Sequence, residues 1–409
     1  MSRRALSIGL VVVLMASLGL GCSGLVPTQE PVTISFVHPE DVTGDYQQWV
    51  TEFQEQYPHI TVELVSASSL SYDQYATKDA FIATQFELNS FLQQAAILSL
   101  SPFTEQDEEL DLADFYPSAL DVFSNQGRQW ALPFGIDMMM VYYNKDIFDR
   151  YGVGYPQVGW DWGDFLDRAL DTTDPGADVY GYALYYQGEA AIFEPVMMIY
   201  QNGGQIFDSL QSPTRVTLDN PQNVEAMEFY ASLIHDHGVA PSQEEMQRMG
   251  RGYPWRGIAD GRFAMWATMF SDRGGARWPV EWEMSWGLVP MPRALSAASL
   301  ATSEGLFISA ETEHPDVAWT WIRFLSEKSH PLLMPARRSL AESSEYERVA
   351  GEEVALAGQA ALQDAILVNP NLLGFETALE ALAQALTKIR SGEASPEVAL
   401  STAQEQAGY

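Results

Sequence analysis

Between residues 32 and 65 the hydrophobic pattern changes period twice. Residues 32–37 (VTISFV) are rich in β-branched and aromatic side chains and predict a strand, and residues 60–65 predict a second one. Between them, apolar side chains recur at the spacing of one helical face, at Tyr46, Trp49, Val50, Phe53 and Tyr57. Strand, helix and strand with short connections predict a βαβ unit, and therefore a parallel sheet with a right-handed crossover.

Two later stretches carry the same helical period. Pro315 begins one of them and Gly392 follows the other, which are the usual start and stop signals of a helix. Strands alternate with helices along the chain, so the predicted class is α/β. Ligands of open α/β sheets bind beyond the carboxyl ends of strands, which points to the loop at 38–41.

The first residues have the pattern of a secretion signal. Two arginines precede an apolar run from Ala5 to Leu20. As a helix this run would span about 24 Å, which is shorter than a bilayer core. The run ends at Gly21 and Cys22, and Cys22 is the single cysteine of the sequence. We interpret residues 1–21 as a lipoprotein signal peptide, Cys22 as the lipidated N-terminus and residues 22–31 as a tether; an incidental thiol is the alternative.

Size and charge narrow the class of partner. The chain has 409 residues, of which 46% are hydrophobic, so it can form two cores. Its net charge is −33, from 55 acidic and 22 basic residues. Such a field repels phosphate backbones, and we therefore expect no nucleic-acid partner.

Motifs of catalysis and of metal binding are missing from the sequence. There is no HExxH, CxxC, GxSxG or GxxxxGK motif. His235 and His237 are two residues apart, so they do not share a helical face and make a poor metal pair. We expect no metal, no cofactor and no catalytic residue, although the many carboxylates leave a glycosidase-like pair open.

Residues 131–148 (ALPFGIDMMMVYYNKDIF) resemble a segment of the family 1 extracellular solute-binding proteins. These are the sugar receptors of ABC importers, and they include the maltodextrin-binding proteins. Further stretches follow in the order typical of that family, at residues 156–165, 202–204, 218–221, 238–241, 260–265, 286–292, 304–309, 314–319 and 334–337. Together they cover nearly the whole chain beyond the tether.

The resemblance implies a two-lobed, periplasmic-binding-protein-like fold of type II, with discontinuous α/β lobes joined by a hinge. We expect an N-terminal lobe of residues 32–136 and 293–333, and a C-terminal lobe of residues 137–292 and 334–409. It also implies a monomeric, non-catalytic receptor on the outer face of the cytoplasmic membrane. Such a receptor closes around a sugar and delivers it to an ABC transporter permease.

Sugar recognition needs aromatic faces and fixed polar groups. The resemblance puts a carboxylate at Asp137, on the strand that links the lobes; a purely structural role in the hinge is its alternative. Strand ends, family motifs and one loop-like segment supply the other candidates. The full set of predicted ligand-binding residues is Glu40, Asp41, Thr84, Gln85, Asp137, Phe193, Glu194, Trp255, Arg256, Met269, Phe270, Glu304 and Arg337.

One departure from the family bears on the ligand. Relatives carry a stacking tryptophan five or six residues after the position of Met265, where this chain has Met269, Phe270 and Ser271. The candidates to replace it are Trp255, Trp266, Trp278 and Trp282. Two rival functions stay open: a receptor of the same fold for a polyol, glycerophosphodiester or peptide, and a lipid-anchored glycoside hydrolase. A phosphate-bearing ligand would require clustered arginines or lysines in the cleft.

Overall fold

The computed structural model describes residues 30–40, 43–69, 72–188, 190–209, 214–250, 254–367 and 375–407. The strands of this part are β1 (Val32–His38), β2 (Ile60–Ser66), β3 (Ala80–Thr84), β4 (Ser124–Asn125), β5 (Arg128–Gln129), β6 (Leu132–Asn144), β7 (Tyr180–Ala183), β8 (Phe263–Met269), β9 (Trp286–Pro290), β10 (Ser299–Ile308), β11 (Met334–Pro335) and β12 (Ala365–Leu367). Its helices are α1 (Thr43–Gln56), α2 (Leu88–Gln93), α3 (Ser101–Gln106), α4 (Pro117–Asp121), α5 (Lys145–Tyr151), α6 (Trp162–Asp171), α7 (Ala190–Gln201), α8 (Pro221–His235), α9 (Gln243–Gly250), α10 (Pro254–Ala259), α11 (Pro315–Leu325), α12 (Arg338–Ala341), α13 (Ser344–Ala350), α14 (Glu352–Leu362), α15 (Phe375–Ser391) and α16 (Pro396–Ala407).

One mixed sheet runs through the molecule in the order β2-β1-β3-β10-β6-β8-β7. β1 is parallel to β2 and to β3, and α1 connects β1 with β2, which confirms the βαβ unit predicted from the hydrophobic pattern. β10 is antiparallel to both β3 and β6. The short strands β9 and β11 pair with β6, and β12 pairs with β10.

β6 is a long strand with all 13 residues buried, and it changes partners along its length. Residues 132–138 pair with β10, whereas residues 139–144 pair with β8 and β9. We call the part on the β10 side, with its helices, the N-terminal lobe, and the part on the β8 side the C-terminal lobe. The chain returns to the first with β10 and α11, and to the second with α15 and α16, so both lobes are discontinuous.

The N-terminal lobe is held by aromatic side chains between β1 and two helices. Tyr46 and Phe53 of α1 face Phe36 and Trp321, with ring centroids 5.5 Å apart for Phe36–Tyr46 and 5.0 Å apart for Phe53–Trp321. All four rings are fully buried. Each contributes about 1.5–3 kcal/mol of transfer free energy, so the apolar face of α1 fixes this helix against the sheet.

Four helices, α7, α8, α15 and α16, pack together in the C-terminal lobe. The predicted apolar stripe of α15 is buried at Leu382, Leu386 and Ile389. The helix ends at Ser391, and Gly392 follows with φ +72°, a conformation that a residue without Cβ adopts at little cost. Met139, Val141 and Tyr143 of β6 belong to the same hydrophobic cluster as this helical layer.

Three of the sequence-based predictions fall partly or wholly outside the described residues. These are the signal peptide, the lipidated Cys22 with most of the tether, and Asp41. Within the described ranges no helix is both long and apolar enough to cross a membrane. The residue-level boundaries of the lobes stay a prediction; β11, which begins the segment assigned to the C-terminal lobe, pairs with residues 135–136 of β6.

Candidate functional site

A cavity of about 660 Å³ lies between the two lobes. Elements of both lobes line it: the end of β3 and the 3-10 turn Gln85–Glu87, the middle of β6, β10, the loop after β7, α7, α10, the end of β8, and the 3-10 segment Phe270–Gly275 with the loop after it. Clefts between domains and at strand ends are the usual places for a small-molecule site. The cavity is therefore the candidate binding site.

The N-terminal lobe contributes one ring, two hydroxyls and a carboxylate to the wall. β3 ends at Thr84, and the turn that follows it brings Phe86 and Glu87 to the cavity. The Thr84 hydroxyl donates to the Glu87 carboxylate, and burial raises the pKa of Glu87. Thr302 of β10 supplies the second hydroxyl.

The C-terminal lobe contributes most of the aromatic surface. Tyr185 comes from the loop after β7, Phe193 from α7, Trp255 from α10, and Trp278 from the loop after the 3-10 segment. The hydroxyl of Tyr185 is buried, and this burial raises its pKa. These four rings form an apolar wall opposite the polar groups of β3 and β10.

Asp137 lies on β6 where the strand changes partners, and its side chain reaches the cavity. It is only 5% exposed. The backbone N–H of Ser271 donates to its Oδ1 atom at 2.9 Å, and the Ser271 hydroxyl donates to Oδ2 at 2.6 Å. Burial raises the pKa of Asp137 to about 6 against the opposing effect of these hydrogen bonds. Asp137 therefore faces the site and also ties β6 to the 3-10 segment.

Arg277 connects the two lobes beside Asp137. Its Nη1 atom lies 3.8 Å from Oδ2 of Asp137 and donates to Oγ of Ser271 at 3.1 Å. Its Nη2 atom lies 3.5 Å from Oε1 of Glu304 on β10. The guanidinium thus bridges a carboxylate of the shared strand and one of the N-terminal lobe.

Asp272 places a further carboxylate on the cavity wall, next to Ser271. It accepts a hydrogen bond from the hydroxyl of Thr268, and its charge contributes to the raised pKa of Asp137. Among the described residues that line the cavity, three are carboxylates, namely Glu87, Asp137 and Asp272, and none is arginine or lysine. The described wall is therefore acidic as well as aromatic.

Five of the residues predicted from the sequence line this cavity. They come from both lobes and from β6, and they are Thr84, Asp137, Phe193, Trp255 and Met269. The topology thus brings together side chains that are up to 185 positions apart in the sequence (84 to 269). Direct contact with a ligand stays a prediction for each of them.

Three predicted residues lie behind the wall, each next to a residue that lines it. Gln85 is fully buried, and its Oε1 atom accepts from the backbone N–H of Ser303 at 2.8 Å. Glu194 is 1% exposed and accepts from the hydroxyl of Tyr182. Phe270 is fully buried. Successive side chains point in different directions, so when one faces the cavity its neighbour turns to the core.

Of the remaining predicted residues, Glu304 pairs with Arg277 beside Asp137, and three others lie at the periphery. The guanidinium of Arg256 is 5.4 Å from the ring centre of Trp255, so it contacts a residue of the wall. Arg337 pairs with Asp114, with Nε 2.8 Å from Oδ2, and is not among the residues of the described wall. Glu40 is exposed after the carboxyl end of β1.

The four candidate tryptophans divide into two pairs. Trp255 and Trp278 line the cavity, whereas Trp266 is fully buried and Trp282 is 6% exposed. The buried pair packs around Tyr142, with Trp282–Tyr142 ring centroids 5.0 Å apart. Sequence reasoning missed several residues of the wall, among them Phe86, Glu87, Tyr185, Thr268, Asp272 and Thr302. The available signal for Phe86 and Glu87 was their position just after a strand end.

Two lobes around a shared strand, with an interlobe cavity that carries rings and carboxylates, define a two-lobed binding protein. The similarity of the chain to known proteins supports this class. The model of the bacterial extracellular solute-binding protein family matches residues 40–329. The chain therefore belongs to the family of bacterial extracellular solute-binding proteins. This confirms the family expected from residues 131–148 and the two-lobed α/β fold, and with them the prediction of an extracytoplasmic solute receptor that serves an ABC transporter.

Relatives of known name are distant in sequence. The mannitol-binding protein of Pseudomonas aeruginosa is 29% identical over 223 residues, 51% of this chain and 49% of that protein. The arabinooligosaccharide-binding protein of Halalkalibacterium halodurans is 23% identical over 318 residues, 70% of this chain and 66% of that protein.

Solved structures share the fold over almost the whole chain. An ABC substrate-binding protein of Listeria monocytogenes, in complex with cycloalternan, has a TM-score of 0.73 at 22% identity and covers 92% of this chain and 98% of its own. UgpB from Mycobacterium tuberculosis, in complex with glycerophosphocholine, has a TM-score of 0.71 at 18% identity, with 93% and 98% covered.

Proposed function

We propose that this protein binds a sugar, a sugar oligomer or a polyol in the interlobe cavity and delivers it to the permease of an ABC importer. The observation that carries the proposal is the composition of the cavity wall. Flat rings such as Phe193, Trp255 and Trp278 suit the C–H faces of a sugar, and the carboxylates and hydroxyls of the same cavity suit its hydroxyl groups. The volume of about 660 Å³ is typical of a site for a small molecule.

A carbohydrate fits this wall better than a phosphodiester does. A phosphate group is bound by arginines, lysines or clustered N–H donors, and the described wall has three carboxylates and no cation. Arg273 is committed to the core, since its guanidinium donates to the carbonyl groups of Phe270 and Leu332. Mannitol and arabinooligosaccharides, which the names of two relatives specify, are neutral polyhydroxyl compounds.

Ligand capture would proceed by closure of the lobes about the strand that they share. In this proposal the hinge divides the chain into residues 32–136 with 293–333 and residues 137–292 with 334–409. Asp137 and the Arg277–Glu304 contact lie at the junction, so a small rotation there changes the width of the cavity. A ligand shifts the lobes toward the closed form only by its preference for that form.

The proposed receptor releases its ligand unchanged. A glycoside hydrolase needs two carboxyl groups on either side of the scissile bond, one of them free to act as acid. Here Asp137 is held by Ser271 and Asp272 by Thr268, an arrangement suited to binding. Incubation with a panel of aryl glycosides checks this: we expect no product, and steady turnover would establish the hydrolase instead.

We further propose that the receptor is a monomer anchored to the outer face of the cytoplasmic membrane through lipid on Cys22. The support is the apolar run that ends at Gly21–Cys22. More than one acyl chain is needed for firm attachment. Mass spectrometry of the mature N-terminus, and the release of Cys22→Ser into the soluble fraction, test the anchor. An unmodified N-terminus elsewhere in the chain would contradict it.

The ligand is found by thermal shift followed by calorimetry. Because a ligand that binds only the folded form raises the melting temperature, a panel of monosaccharides, oligosaccharides and polyols should contain compounds that raise it. Calorimetry should then give one site per chain with a dissociation constant of about 1 μM or tighter, which is about −8 kcal/mol. Silence across the panel, with heat from a phosphodiester or a peptide, would replace the sugar with that ligand class.

A further inference from the structure

The described cavity wall carries more negative charge than the recognition of neutral hydroxyl groups requires. Glu87 stands on the N-terminal lobe, Asp137 on the shared strand and Asp272 on the C-terminal lobe, so each of the three parts that line the cavity contributes a carboxylate. Arg277 approaches Asp137, but it also contacts Glu304. The guanidinium of Arg277 is therefore already shared between two carboxylates.

Of the three carboxylates, Asp272 is the one for which an ion pair with a charged group of the ligand would matter most. Within the described part of the chain its hydrogen-bond donor is the hydroxyl of Thr268, a neutral group. Closure of the lobes around a neutral sugar would move this carboxylate from water into an enclosed space. A charged group that is buried without an opposite charge raises the free energy of the closed state.

The aromatic part of the wall suits the same kind of ligand. A cation is attracted to the face of an aromatic ring, most strongly to that of tryptophan. The guanidinium of Arg256 already lies 5.4 Å from the centre of the Trp255 ring. The rings of Phe193 and Trp278 line the same cavity as the three carboxylates.

From these observations we propose that the preferred ligand of this cavity is an amino sugar, a carbohydrate that carries a protonated amine. The amine binds between Asp272 and Asp137, and the C–H faces of the ring lie against Trp255 and Trp278. The inference rests on the proposed sugar-binding function and narrows it to a cationic subclass. Binding is non-covalent, and the amine enters and leaves with its proton.

The test uses three disaccharides with one skeleton and different groups at C2. Cellobiose has a hydroxyl there, chitobiose an amine, and N,N′-diacetylchitobiose a neutral amide; glucose, glucosamine and N-acetylglucosamine form the matched monosaccharide series. Calorimetry at about neutral pH measures all six. A charge-assisted hydrogen bond in an enclosed site is worth about 1.5–3 kcal/mol, so the amine of at least one series should bind at least about tenfold more tightly than both of its neutral counterparts.

Variants then locate the preference. Asp272→Asn keeps an oxygen that can accept from Thr268 but removes the charge, and it should abolish the advantage of the amine. Glu87→Gln provides a second test on the opposite lobe if Asp272→Asn does not fold. Asp167→Asn, an exposed residue of α6, is the matched control and should leave the advantage unchanged. Melting temperatures without ligand show whether each variant is folded.

The outcomes separate this inference from the function on which it rests. A preference for the amine that Asp272→Asn removes supports the inference. Equal or tighter binding of the neutral sugars overturns it and leaves the sugar receptor in place. An advantage of the amine over its neutral counterparts that persists in both Asp272→Asn and Glu87→Gln also overturns it, since the negative charges of these two residues then do not cause the preference. Silence of these six and of the broad sugar panel would overturn both proposals.

Discussion

Asp137 and Glu194 are both buried carboxylates, but they stand in opposite relations to the cavity. Asp137 lines it, whereas Glu194 of α7 is 1% exposed and does not, although the preceding residue, Phe193, does line it. Burial raises the pKa of both, to about 6 for Asp137 and about 7 for Glu194. A buried carboxylate with a raised pKa is therefore not by itself a ligand contact, because the direction of the side chain decides what it can touch.

Their partners differ in the same sense. Asp137 is held by Ser271 and Arg277 at the junction of the lobes, where relative motion is expected. Glu194 accepts from Tyr182, and the nearby Arg390 donates to the hydroxyl of Tyr230 at 2.7 Å and to the carbonyl of residue 191. This second cluster joins β7, α7, α8 and α15 within one lobe. Asp137 and its partners therefore belong to the cavity, whereas the cluster around Glu194 stabilises the fold of one lobe.

The largest expected effect is on the stability of the fold, through the buried cluster around Glu194 and Arg390. Arg390→Ala removes the donors to Tyr230 and to residue 191 and takes away a cation that stabilises ionised Glu194. Loss of one partner from a buried charged cluster costs about 3–5 kcal/mol. Urea denaturation should show this loss. Arg348→Ala, whose side chain is 74% exposed, is the control and should stay within about 0.5 kcal/mol of the wild type. Equal midpoints for the two variants would mean that the cluster does not stabilise the lobe.

The titration of Glu194 should be visible in stability. Its folded pKa of about 7 lies above the ordinary value of 4.5, so the folded state holds the proton more tightly and loses relative stability as pH rises from about 4.5 to about 7. The full effect is on the order of 3 kcal/mol. Among the described residues, the ionisable groups that interact with it are Tyr182, Tyr185, Tyr186, Tyr230 and Arg390.

Glu194→Gln isolates this effect, because glutamine resembles the protonated acid. The stability of the variant relative to that of the wild type should rise between pH 4.5 and pH 7.5, and level off above that range. Chemical denaturation at several pH values measures it. A difference between the two proteins that does not change with pH would show that Glu194 keeps an ordinary pKa.

Asp137→Ala should affect affinity and stability together. As a sugar ligand, Asp137 is worth about 1.5–3 kcal/mol of binding free energy. A carboxylate that only faced the ligand could be removed with folding nearly unchanged, but Ala also leaves the buried N–H of Ser271 without its acceptor, which costs about 1–3 kcal/mol of stability. Melting without ligand and calorimetry with ligand separate the two. Lower melting with unchanged affinity would make Asp137 a residue of the hinge alone.

Prediction from the sequence succeeded where the local hydrophobic pattern indicates which side chains are buried. The helical period of residues 46–57 predicts α1 because one face of that helix is buried against β1. It could not distinguish Thr84 from Gln85 or Phe193 from Glu194, since the orientation of each element toward the cavity depends on long-range packing. Asp272 was missed because the 3-10 segment around it turns irregularly, with Gly274 at φ +67°, and no period describes its course.

The smallest expected effect is that of Trp278→Ala on ligand binding, and its neighbour Trp282 provides the contrast. The rings of Trp278 and Trp282 are 4.9 Å apart, but only Trp278 lines the cavity. Trp278→Ala should weaken binding of the sugar found in the screen by about 0.5–1.5 kcal/mol, the worth of one ring contact, with a small change in melting temperature. Trp282→Ala removes a buried ring and should instead cost about 3–5 kcal/mol of stability. Calorimetry and urea denaturation on both variants test the pair. If Trp278→Ala binds the sugar as tightly as the wild type does, the ligand lies nearer to Phe193 and Trp255. The position of Trp278 on the cavity wall would then not contribute to ligand recognition.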